Sequence, residues 1–151
     1  MKENIRFFLN IIVISIISLA QGLSLIVFNG VKPNFALAAL VVLIFSEKEF
    51  WRYLILVLTS LVFLNYSVFI SKELAIFGLL MLLAFYFKKY LSENIFLYSF
   101  LLSSILTTTF YLLIDFKFIL NSTNQFISEL FYNVLLTLIF GSLYYYGHDK
   151  E

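Results

Sequence analysis

The side chains in this chain that could do chemistry are few, and most recur at helical spacing. Ser99, Ser103 and Thr107 follow one another at four-residue intervals, with Ser104 and Thr108 one step around. Glu129, Asn133, Thr137 and Gly141 make a second stripe, and Ser15, Ser18 and Gly22 a third. Residues three or four apart share one face of a helix, so each set would sit on a single stripe. A hydroxyl with no base beside it is a weak nucleophile. Between helices, however, small and hydroxyl residues allow close approach and hydrogen bonds. Two readings stay open: the stripes hold the molecule together, or one of them, foremost that of Glu129, faces a partner protein or lines a shallow polar pocket.

Two amides stand apart from the stripes. Asn34 follows Pro33 where an apolar run begins, a position that suits a helix cap and, as the lesser alternative, a recognition contact. Asn65 lies near the end of another apolar run, where an unpaired amide would be costly in hydrocarbon. It is expected to face the interior or a partner. Catalytic and metal chemistry have little to work with: there is no cysteine, and the one histidine is His148, near the C-terminal end. Asp and Glu fall only near the ends of the apolar runs, so the mid-membrane acid of an ion pump has no candidate. No enzyme, cofactor, metal site or tightly bound small molecule is expected. With a net charge of +1, neither is a nucleic-acid partner.

The elements that must position these residues are written for a bilayer. The 151 residues are 62% hydrophobic and 13% charged, whereas a soluble domain is about a quarter charged. Apolar runs cover Phe7 to Phe28, Phe35 to Phe45, Phe50 to Ile70, Leu74 to Phe87, Ile95 to Ile114 and Phe126 to Tyr146. Ser18-Leu19-Ala20 resembles a signal-peptidase site, but the run continues beyond it and reads as a retained span. The second and fourth runs are short for the ~17 to 25 residues of a spanning helix, so re-entrant or interfacial placement is the alternative.

Counting Lys and Arg on each side decides between the two. Six spans place Lys2, Arg6, Lys48, Arg52, Lys88, Lys89 and Lys150 on one side against Lys32, Lys72 and Lys117, and this seven-to-three split is the most asymmetric available. The expectation is an all-α integral membrane protein: residues 1–151 as one compact bundle of six transmembrane helices, both termini cytoplasmic. Trp51, Tyr53, Tyr86, Tyr90 and Tyr144 to Tyr146 fall at its cytoplasmic interface.

The order of features resembles the rod shape-determining MreD family. Pro33-Asn34-Phe35-Ala36-Leu37 stands where that family has Pro-Asp before its second helix, and Phe63-Leu64-Asn65 where it has a Leu-Leu-Asp-like element. Ala75-Ile76-Phe77-Gly78 through Lys88-Lys89 is similar to its Gly-containing helix closed by basic residues, and Glu129-Leu130-Phe131-Tyr132-Asn133 to its Glu-x-x-Tyr-Asn element. Both expected acids are amides here, and the glycines early in the third helix are replaced by residues such as Val57, Thr59 and Ser60. The resemblance implies a non-enzymatic scaffold in the bacterial inner membrane that acts in cell-wall elongation with an MreC-like protein and further elongation-complex subunits. The competing class is the substrate-binding component of an energy-coupling-factor vitamin transporter. Its Ala-x-x-x-Ala coupling surface has only Ala20 to match it in the first run.

Overall fold

The computed structural model describes residues 2–25, 27–28, 30–65, 71–90 and 94–146. They form α1 (Lys2–Gly22), α2 (Phe35–Ser46), α3 (Phe50–Leu64), α4 (Lys72–Phe87), α5 (Ile95–Ile114), α6 (Phe116–Asn121) and α7 (Thr123–Tyr146), with a 3-10 turn at Lys88–Tyr90. Four helices begin on a side-chain cap: Asn34, Ser71, Asn94 and Asp115 accept from the backbone N–H of Leu37, Leu74, Leu97 and Phe118. Each cap satisfies a donor that the first turn leaves unpaired.

Three stretches differ from the hydropathy pattern. The first helix stops at Gly22, six residues before the apolar run does. Ser24 takes a left-handed φ of 53°, Leu25 N–H reaches back to the Ala20 carbonyl and Ser24 N–H to that of Gln21. This pair of bonds is a Schellman turn, which closes a helix by satisfying its last carbonyls, whatever the polarity of the residues beyond. The third helix ends at Leu64, with Asn65 as its C-cap. The polar stretch Asn121 to Gln125 is mostly helical, with α6 before it and only Ser122 as a break.

Helix α2 is the axis of the molecule. From Ala36 to Ile44 every residue is buried. A helix apolar on all sides is stable only when enclosed, and Ala36, Ala38 and Ala39 let neighbouring backbones approach closely. It contacts α1, α3, α4, α5 and α7, and these contact one another in the order α1, α3, α4, α5, α7. The two ends of that series, α7 and α1, have no contact of comparable extent, so the wall around α2 is open on one side.

Among the described residues, Glu3–Gly22, Phe96–Ile114 and Thr123–Tyr144 are long and apolar enough to cross a membrane, while Phe35–Ser46 and Phe50–Leu64 are shorter apolar helices. Their outer faces carry large exposed apolar residues, such as Phe8, Ile16, Val62, Leu101, Ile105 and Leu143. The protein is an all-α membrane protein.

An interface pattern needs exposed rings, and Trp51, Tyr86 and Tyr90 are exposed. Tyr53 departs from it. Its ring stacks on Phe85 at 5.0 Å, its hydroxyl donates to the Leu40 carbonyl at 3.4 Å, and it is fully buried. A phenol with a carbonyl partner is accommodated inside the bundle instead of at the interface. Lys88 also turns inward, donating to the Glu47 carbonyl at 2.6 Å just beyond α2. Desolvation there holds its ammonium below the usual lysine range.

Candidate functional site

A polar network crosses the bundle at the N-terminal end of α2. Pro33 is fully buried and delivers the chain to Asn34. Asn34 N–H donates to Asn133 Oδ1 on α7 at 2.7 Å, and Asn133 Nδ2 donates to Thr107 Oγ1 on α5 at 3.2 Å. One turn along α7, Thr137 Oγ1 hydrogen-bonds Ser103 Oγ at 3.0 Å and donates to the Asn133 carbonyl at 2.8 Å. On the other side, Gln21 Nε2 donates to Asn34 Oδ1 at 3.1 Å, and Gln21 Oε1 accepts from Ala36 N–H at 2.7 Å. The first turn of α2 is thereby tied to α1, α5 and α7 at once.

The stripe on α7 faces inward along its length. Glu129, Asn133, Thr137 and Gly141 are all buried. Glu129 accepts from the Tyr111 hydroxyl on α5, and Gly141 faces Phe96 and Val42. The α5 stripe meets it: Ser99, Ser103 and Thr107 are buried, and Ser99 Oγ has no hydrogen-bond partner among the described residues. Ser104 and Thr108 bond carbonyls of their own helix instead. On α1, Ser18 meets Ser60 of α3 at 2.8 Å with both residues buried, while Ser15 bonds back to the Ile11 carbonyl. Asn65 is the C-cap of α3, its backbone N–H donating to the Leu61 carbonyl.

Beside the network a cleft of about 180 Å³ carries Gln21, Lys32, Asn34 and Glu73 on walls that include Phe77 and Phe110. Gly22 lines it as well. Both ends of the Gln21 amide and the oxygen of Asn34 are already engaged, and Lys32 and Glu73 are the charged groups of the cleft. The arrangement supplies hydrogen bonds and charge. Lys32 Nζ donates to Ser24 Oγ at 2.6 Å, and among the described residues no group of three His, Cys, Asp or Glu could hold a metal. His148 and Lys150 lie outside the described residues.

Two network members were absent from the stripes read in the sequence. Gln21 and Asn10 are the amides of an otherwise uncharged stretch, and Asn10, Ile14, Ser18 and Gln21 recur at intervals of four, four and three, which is one helix face. That face turns toward α2 and α3: Asn10 Nδ2 donates to Glu47 Oε1 at 2.8 Å, and Asn10 and Glu47 are both buried. Spacing was the available signal. The chain matches no family model, no curated protein and no solved structure.

Proposed function

We propose that the protein is a non-enzymatic scaffold subunit of the bacterial cell-wall elongation machinery in the inner membrane, of the MreD type, with six transmembrane helices and both termini cytoplasmic. The observation that carries this reading is the hydrogen bond between Asn34 and Asn133. These residues belong to two separate elements of the resemblance, the Pro33-Asn34 start of the second helix and the Glu129 to Asn133 element of the last. The fold makes them one structural unit, as expected if both motifs serve a common architecture.

Ser18, Ser60, Ser103, Thr107, Asn133 and Thr137 are used in joining helices, which suits a subunit whose work is to present a surface to partners. The ends of the bundle support the orientation. Arg6, Lys48 and Arg52 gather around one pocket, near the start of α1, while Lys32 lies in the cleft at the other end of that helix. Although α2 rises only about 18 Å against ~30 Å of hydrocarbon, its enclosure by five helices relieves it of reaching both interfaces on its own.

The cleft beside Lys32 and Glu73 favours one second reading, the vitamin-binding component of an energy-coupling-factor transporter, because it offers charged groups to a small polar molecule. One experiment separates the two: affinity purification of the tagged chain from its native membranes in mild detergent. An MreC-like protein in the eluate is the expected result. Recovery of an ATPase pair with a bound vitamin-like molecule, and no MreC-like protein, would overturn the scaffold reading.

A further inference from the structure

The opening in the wall between α1 and α7 is an apolar cleft of about 370 Å³. Its floor is the central helix, at Ala39, Val42 and Leu43, and its rims include Val13 of α1 and Leu143 of α7. The floor residues are at most 5% exposed while Val13 is 50% and Leu143 72% exposed. A slot wide enough for a helix about 10 Å across would leave its floor far more open. This one is too narrow at its floor for a helix.

Two hydrogen bonds border one end of the cleft, from Asn10 to Glu47 at 2.8 Å and from Arg6 Nε to the Tyr144 hydroxyl at 2.6 Å. Asn10 and Tyr144 line the cleft, and their partners Glu47 and Arg6 line a charged pocket of about 130 Å³ beyond it. A guanidinium has five donors. The bond to Tyr144 uses one, and the other four lie on the terminal nitrogens of a residue that has no ion pair among the described residues. Arg52 is paired with Glu49 at 3.1 Å, which leaves Arg6 and Lys48 against Glu3 and Glu47 in the pocket.

We infer that this cleft and pocket together bind one glycerophospholipid with an amine headgroup: an acyl chain lies between the exposed rims at Val13 and Leu143, the phosphate meets Arg6, and the ammonium faces the carboxylates. The polar end must supply the selectivity, because an acyl chain gains no hydrophobic energy on leaving one apolar medium for another. A site for an anionic headgroup would collect cations alone. Outside the Arg52–Glu49 pair two of each sign remain, which fits a zwitterion, and a bidentate-capable arginine fits its phosphate. The inference requires a membrane but not the scaffold reading.

Native mass spectrometry of the purified protein, offered equimolar phosphatidylethanolamine and phosphatidylglycerol, tests it. The wild type should retain one phosphatidylethanolamine in at least fivefold preference. Arg6→Gln should lose that preference, and Val13→Phe, which fills the cleft from its exposed rim, should reduce retention of either lipid. Both variants should unfold at the wild-type temperature in lipid-free detergent. Equal or better retention of phosphatidylglycerol by the wild type would overturn the proposal without recourse to any variant. Unchanged selectivity in a folded Arg6→Gln protein would do the same.

Discussion

Asn34 and Asn133 use their amides differently, and the difference predicts which substitutions each tolerates. Asn34 engages only its oxygen, which accepts from Leu37 N–H and Gln21 Nε2. A carboxylate offers the same acceptor and is favoured at a helix N-terminus, so Asn34→Asp should fold with wild-type yield while Asn34→Leu should not. Asn133 engages both ends, accepting from Asn34 N–H and donating to Thr107. Asn133→Asp loses the donor, and Asn133→Leu strands a backbone N–H as well, at a cost of about 1–3 kcal/mol for a buried group left unpaired. Chemical unfolding in detergent checks the order: Asn133→Leu least stable, then Asn133→Asp. A double-mutant cycle with Thr107→Val should give a coupling of about 0.6–1.7 kcal/mol, the range of hydrogen bonds between membrane helices. Both amides were visible in the sequence as polar residues in apolar runs. Their pairing was not, because 99 residues separate them and neither stripe says which neighbour it faces.

Helix limits were legible where side chains set them. The fifth helix runs from Ile95 to Ile114, the bounds of its apolar run, with the Asn94 side chain capping its start. The first helix was not, because its end is set by backbone carbonyls in a Schellman turn while the apolar side chains continue. The inner face of α5 was legible from hydroxyl spacing, and it carries a direct test. Ser103 is fully buried against Thr137, and Leu101 is exposed on the lipid side. Ser103→Leu should overpack the α5–α7 seam by about 1–3 kcal/mol and lower folded yield, while Leu101→Ala should leave yield unchanged. Equal yields would assign the wrong face. Gly141 presents the opposite case, for a Cβ there would meet Phe96 and Val42 at 3.9 Å, ordinary contact. Gly141→Ala should therefore be neutral or stabilise by up to about 1 kcal/mol through helix propensity, read from the same unfolding curves.

For the whole molecule, composition alone disclosed a helical membrane protein. The arrangement around α2 was beyond its reach, because a short run apolar on every side has no face to point toward neighbours. Topology follows from the distribution of charge and is open to measurement. Reporter fusions after Lys32, Lys72 and Lys117 should all report the outer side, as the crowding of Arg6, Lys48 and Arg52 at the other end requires. A cytoplasmic signal at two of the three would exclude the six-span arrangement.

The central position of α2 has a consequence for how the protein is made. Synthesis proceeds from the N-terminus, so α2 leaves the ribosome second, yet two of the helices that enclose it, α5 and α7, are the fifth and last to follow. Until α7 arrives, Asn34 N–H lacks its acceptor, and the wall of α2 that will lie against α5 and α7 has no protein to cover it. The nascent chain must therefore hold an incomplete hairpin of α1 and α2, steadied by the bonds from Gln21 and Asn10, through most of translation. Chains cut short before α7 would leave that seam of α2 uncovered, so α7 is the element that completes the enclosure of α2.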